Sequence, residues 1–132
     1  MIDVCCAIII NGNKILAVQR GAESSHPFKW EFPGGKIHPD ESAEQCIVRE
    51  IAEELTIRIE VAKQLVPVEF DYVTKQIRLI PFVCKIISGD IKLTEHIEQK
   101  WLLFNELEAL DWSEADCELI KTNKKSLELL IA

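Results

Sequence analysis

The chain has 132 residues, 48% of them hydrophobic, and a formal net charge of −7. That length suits one domain, 1–132, with a full core and leaves no room for a second. The acidic balance, with no stretch that concentrates lysine and arginine, argues against nucleic acid polymers and anionic membranes as partners.

Residues 2–10 read as a buried strand. Val4 to Ile10 is apolar, lacks the basic leader of a signal peptide and runs into the tight-turn pair Asn11-Gly12. A second strand is expected over 14–19, and a polar loop over 20–29 leads into Trp30-Glu31-Phe32-Pro33-Gly34-Gly35. Ser42 with Gln45 three residues on completes a capping box, which predicts a helix over 43–55. The β-branched runs at 57–70 and 77–87 read as strands, separated by a turn near Thr74-Lys75 and ended by Ser88-Gly89-Asp90. A short strand follows at 100–104, Asn105 is positioned to cap a helical turn, and Leu119, Ile120, Leu127 and Leu130 give helical spacing over 114–131. Elements mixed in this order predict an α/β fold, a central mixed sheet covered on both faces as an α/β/α sandwich. No run approaches the ~20 apolar residues needed to span a bilayer. The five cysteines, Cys5, Cys6, Cys46, Cys84 and Cys117, are odd in number and contain no C-x-x-C pair. Buried thiols in a reducing cytoplasm are expected, not a disulfide framework or a metal cluster.

The chemistry concentrates in the predicted helix. Glu41, Glu50, Glu53 and Glu54 fall within fourteen residues, and at 100° per residue Glu50, Glu53 and Glu54 share one arc. Like charges at i,i+3 and i,i+4 cost roughly 0.2–0.5 kcal/mol per pair, and these lie at the negative end of the helix dipole. Ile47, Val48, Ile51 and Leu55 form an adjoining apolar stripe, so the acidic edge is held at the rim of a core. Arg49 is positioned to pair with Glu53 but cannot neutralise three glutamates. A hard divalent ion, Mg²⁺ shared with substrate phosphates, resolves the repulsion.

The pattern Gly35-x5-Glu41-x7-Arg49-Glu50-Ile51-x-Glu53-Glu54-x-Thr56-Ile57 resembles the Nudix box, with Thr56 where the box usually has glycine. Residues Trp30 to Ile37 resemble the MutT-like branch, the nucleoside triphosphate pyrophosphohydrolases, and His38-Pro39-Asp40-Glu41-Ser42 is similar to its CTP-hydrolysing members. The resemblance implies the Nudix fold and Mg²⁺-dependent hydrolysis, with Mn²⁺ as substitute. The substrate would be a triphosphate of the CTP or 8-oxo-dGTP type, cut to the monophosphate and pyrophosphate. It further implies a Gly35 carbonyl near the metal, Glu95 or Glu98 as a carboxylate from outside the box, and Glu53 or Glu95 as the base. Arg20 and Phe32 are implied at the nucleotide, and Asp116 at the base. Read locally, Asp116 is instead the fourth residue of a capping box begun by Ser113. Lys36 is a candidate for a phosphate oxygen, His38 is expected on an exposed loop, and Phe70 and Tyr72 are expected in the core. The alternatives are a Nudix hydrolase of a diphosphate derivative such as ADP-ribose, or a non-catalytic nucleotide-binding module. A small nucleotide is the expected partner, and the protein is expected to be a monomer or homodimer.

Overall fold

In the computed structural model, which describes residues 1–132, side-chain alternation along the first strand assigns the layers. This strand, β1 (Ile2–Asn11), is buried on both faces, so its sequence is a continuous apolar run. Cys5, Ala7 and Ile9 face a cluster that includes Cys46, Ile47, Ile51 and Leu55. Cys6 and Ile8 face the opposite cluster, with Ala115, Leu119 and Leu127. The strands β2 (Lys14–Gln19), β3 (Trp30–Glu31) and β4 (Gly34–Lys36) precede helix α1 (Ala43–Leu55). Next come β5 (Arg58–Gln64), β6 (Val68–Tyr72), β7 (Lys75–Ser88) and β8 (Glu98–Leu102). A 3-10 turn (Phe104–Ala109) and helices α2 (Glu114–Thr122) and α3 (Lys124–Leu130) end the chain. β1 runs parallel to β7, from Ile2 opposite Ile77 to Ile9 opposite Cys84, while the other pairings are antiparallel. The sheet is therefore mixed, with α1 on one face and α2 and α3 on the other, the expected α/β/α sandwich. No helix is long and apolar enough to cross a membrane.

Five expectations change. The run 57–70 is two strands, because Pro67 has no N–H to donate and the Asn123 amide takes both Val66 backbone groups at 2.9 Å. The same buried Asn123 interrupts the helix expected over 114–131. β8 ends at Leu102, where its partner β2 begins to turn away, and the following turn starts at Phe104. Asn105 thus lies inside that turn, and Glu106 closes back on the Leu103 N–H at 2.8 Å. Val48 is 38% exposed and leaves the apolar stripe, whose buried members are Cys46, Ile47, Ile51 and Leu55.

Helix α1 begins with the expected capping box, Gln45 N–H to Ser42 Oγ at 3.1 Å and Ser42 N–H to Gln45 Oε1 at 2.8 Å. Its last four carbonyls all find donors. Ala52 accepts from Thr56 N–H (3.1 Å), Leu55 from Lys92 N–H (3.0 Å), and Glu53 and Glu54 from Thr94 Oγ and N–H at 2.9 and 3.0 Å. The segment after β7 is thereby docked on the acidic end of α1. Thr56 adopts the left-handed conformation, φ 60° and ψ 30°, which strains a β-branched residue. Its only side-chain bond, to Asp90 O at 3.2 Å, is exposed. Thr56→Gly is expected to stabilise the protein by up to ~1 kcal/mol, raising the thermal midpoint by a few degrees. A lower midpoint would show that the Asp90 bond outweighs the strain.

Candidate active site

Gly34 and Gly35 bring the loop before α1 into backbone contact with β1, opposite Cys6 and Cys5. A Cβ on Gly34 would sit 2.7 Å from Cys6 Cα, and one on Gly35 would overlap the Glu50 carboxylate. Close approach is what requires glycine here. Arg49 does more than pair with Glu53. Its Nε and one terminal nitrogen grip Glu41 at 2.9 and 2.7 Å, and the other terminal nitrogen reaches Glu50 at 3.0 Å and Glu53 at 3.2 Å. The Arg49 bonds, helped by the His38 N–H, hold the Glu41 carboxyl at about 2. His38 itself is on the exposed loop, its side chain 61% accessible.

Glu54 is the buried member, 2% exposed, and its Oε1 has no hydrogen-bond partner. Burial, then the charges of Glu50, Glu95 and Glu31, push its pKa from 4.5 to about 9. Glu95, brought in by the segment that Thr94 docks on α1, thus joins the field of the box carboxylates. An orphaned buried oxygen among like charges is a donor set that fits a hard divalent cation. Glu50, Glu53, Glu54, Glu95 and the Gly35 carbonyl are the groups available to hold one. No three acidic, His or Cys side chains close on one point as they stand; Glu50 and Glu53 are instead paired with Arg49 at 3.0 and 3.2 Å. Glu98 starts β8 opposite Gln19, and its carboxylate bonds the adjacent Gln99 N–H at 3.0 Å.

A pH dependence follows from Glu54. Below about 4.5 it is protonated in both folded and unfolded chains; between there and about 9 only the unfolded chain ionises. The metal-free protein is therefore expected to lose stability as pH rises through that window. Cation binding needs the carboxylate, so it should release a proton, tighten with rising pH and flatten the loss. The check is the thermal midpoint across the window with chelator and with Mg²⁺. A slope that is unchanged in Glu54→Gln would assign the protons to another group.

Beside this cluster lies a cavity of about 190 Å³ whose walls include Arg20, Phe32, Lys36 and Asp116, all four candidates for substrate contact. Arg20 reaches Glu31 at 2.9 Å, and His96 Nε2 lies 2.9 Å from the other Glu31 oxygen. Burial raises the Glu31 pKa, but the His96 and Arg20 bonds outweigh it and hold the carboxyl below its usual range. Trp30 N–H bonds Asp111 O and Ser113 N–H bonds Trp30 O, which fixes the start of α2 beside β3. Asp116 consequently meets Phe32, whose N–H bonds Asp116 Oδ1 at 2.9 Å. The capping-box reading of Asp116 is corrected by this contact, and the Ser113 hydroxyl instead donates to Trp30 O. Burial first, and then Glu31, push the Asp116 pKa well above the carboxylate range. Protonated, this carboxyl donates as well as accepts; ionised, it only accepts. Phe32 is 3% exposed and packs on Trp112, ring centroids 4.8 Å apart. Phe70 and Tyr72 pack on the core as expected, and Tyr72 also reaches the cavity, its hydroxyl accepting the Ala115 N–H at 3.0 Å.

Sequence reasoning missed Glu31, Thr94 and His96. Glu31 carries a signal, a lone charge inside an apolar segment. Thr94 and His96 carry none, because their partners lie 41 and 65 residues away.

Known proteins share both the sequence and the fold. The chain is 35% identical to the CTP pyrophosphohydrolase of Escherichia coli K12 over 121 residues, covering 92% of this chain and 90% of that one. It is 29% identical to the 8-oxo-dGTP diphosphatase of the same organism over 125 residues, covering 94% and 97%. The crystal structure of the MutT protein from Methanosarcina mazei Go1 superposes with a TM-score of 0.85 at 27% identity, covering 95% and 94%. The NUDIX domain profile matches residues 1–122, from the first residue through the end of α2. Since that span takes in the glycine loop, the carboxylate helix and the helix carrying Asp116, the chain belongs to the NUDIX domain family.

Proposed function

We propose that this protein is a Mg²⁺-dependent nucleoside triphosphate pyrophosphohydrolase that acts on a CTP-type or 8-oxo-dGTP-type nucleotide. The observation that carries the reading is the buried, partnerless Glu54 oxygen among carboxylates, behind a glycine pair, Gly34 and Gly35, that also lines the cavity of Arg20, Phe32, Lys36 and Asp116. The names of the two Escherichia coli relatives favour a triphosphate over a diphosphate derivative such as ADP-ribose.

Nudix hydrolases generally use a divalent metal. When bound here, Mg²⁺ or Mn²⁺ would neutralise phosphate charge and activate a water for in-line attack. Gly35, Glu50, Glu53, Glu54 and Glu95 are the residues assigned to hold it, and Glu98, once it releases the Gln99 N–H, is a sixth. Arg49 fixes the rotamers of Glu41, Glu50 and Glu53. Glu53 or Glu95 accepts the proton of the attacking water. Lys36 meets a phosphate oxygen, Arg20 and Phe32 contact the nucleoside, and Asp116 reads the base edge. Attack falls on the β-phosphorus, so the products are the monophosphate and pyrophosphate. We further assign residues 1–132 to one domain acting in the cytoplasm as a monomer or homodimer.

The test is turnover of CTP, dCTP, 8-oxo-dGTP and ADP-ribose by purified protein with Mg²⁺. Pyrophosphate with a nucleoside monophosphate is the expected product pair. Hydrolysis of ADP-ribose alone would replace this reading with the diphosphate one, and no hydrolysis of any nucleotide would favour a binding module.

A further inference from the structure

Cys5 on β1 and Cys46 on α1 are both fully buried, yet their sulfurs lie 2.6 Å apart although the residues are 41 positions apart in the chain. A disulfide needs ~2.05 Å, so a small displacement separates the thiol pair from a covalent bridge. Both thiols also reach one acceptor, the Gly35 carbonyl, at 3.4 and 3.7 Å. The remaining cysteines differ: Cys6 faces the opposite core, Cys84 bonds the Phe82 carbonyl, and Cys117 is partly exposed.

We infer that Cys5 and Cys46 are an oxidation site that closes into a disulfide tying β1 to α1, with a hydroperoxide as oxidant. One sulfur, exposed by local opening, attacks the peroxide as thiolate, breaks its O–O bond and becomes a sulfenic acid, releasing the alcohol, or water from hydrogen peroxide. The second sulfur then displaces water from the sulfenic acid. Two thiols are oxidised to one disulfide, and the peroxide is reduced. Burial of both sulfurs makes the reaction slow and the product hard to reduce.

The bridge has two consequences. Closing a loop of this length restricts the unfolded chain and raises thermal stability. The Gly35 carbonyl also loses its thiol donors, which frees its lone pairs for a cation beside it. That second consequence rests on the hydrolase reading; the bridge does not.

The experiment treats the protein with excess hydrogen peroxide, blocks remaining thiols, and maps non-reduced peptides by mass spectrometry. A cross-linked peptide joining Cys5 to Cys46, lighter by two hydrogens and released by dithiothreitol, is expected. The thermal midpoint of the bridged protein should rise by several degrees, and Mn²⁺ affinity, measured by titration, should increase severalfold. Cys46→Ala and Cys5→Ala should each lack the cross-link and show no peroxide-induced rise in midpoint. Two free thiols at these positions after Cys117 is fully oxidised would overturn the inference, as would a bridge to any other cysteine. A Cys5–Cys46 bridge with unchanged Mn²⁺ affinity would overturn the link to the carboxylate site and leave the bridge standing.

Discussion

Glu54→Gln and Glu53→Gln are each expected to lower turnover at saturating Mg²⁺ by at least ~100-fold while the fold is retained. The two substitutions reach that result from different starting points. Glu54 is buried with an unpartnered oxygen and a pKa of about 9. A glutamine in its place would keep the shape of the protonated side chain but could not give up a proton to solvent and become a carboxylate for the cation. Repulsion from Glu50, Glu95 and Glu31 would disappear, so the metal-free protein should become more stable towards the upper end of the pH window. Glu53 is 60% exposed and held by Arg49 at 3.2 Å. Breaking that i,i+4 pair costs about 0.5 kcal/mol or less, so Glu53→Gln should leave stability nearly unchanged. Turnover at saturating Mg²⁺, with thermal midpoints as the folding control, checks both. Full activity in both variants would sink the assignment of these carboxylates to a cation.

The helix and its carboxylates were legible because their information is local. Ser42 and Gln45 mark the start, and residues three and four apart must share a face, so Glu50, Glu53 and Glu54 could be grouped without a structure. Resemblance to the family then pointed at Arg20, Phe32 and Asp116, and Lys36 was a candidate from its place before the acidic residues; the fold brings these four to one cavity. Properties set by distant neighbours were not legible. Nothing near Thr94 in sequence says that it caps the Glu53 and Glu54 carbonyls, and nothing near Asn123 says that it fills the gap beside Pro67. Val48 sat close enough to the apolar stripe to be counted in it, but one further residue of rotation turned it to solvent. Asp116 is the sharpest case. Ser113 offered a local partner, and only the packing of α2 against β3 hands its carboxyl to Phe32.

That handover shapes what Asp116→Asn should do. The Phe32 N–H already occupies Asp116 Oδ1, and asparagine keeps an oxygen for it, so the fold should survive. The second oxygen is the one left for a ligand. As a protonated acid it donates and still has a lone pair to accept; asparagine places an NH₂ there, which only donates. A cytosine edge presents an amino donor beside a ring-nitrogen acceptor, and a guanine-type edge presents donors, whereas uracil is richer in carbonyl acceptors. Loss of the acceptor should therefore cost CTP or 8-oxo-dGTP roughly 1–3 kcal/mol, about 5- to 150-fold in kcat/KM, and UTP less. The ratios of CTP to UTP and of 8-oxo-dGTP to UTP should both fall. Because ionisation converts the wild-type carboxyl into an acceptor only, these ratios should shift with pH in the wild type and not in the variant. If the ratios stay fixed in the variant, Asp116 serves to hold the Phe32 backbone and the base is read by another wall of the cavity.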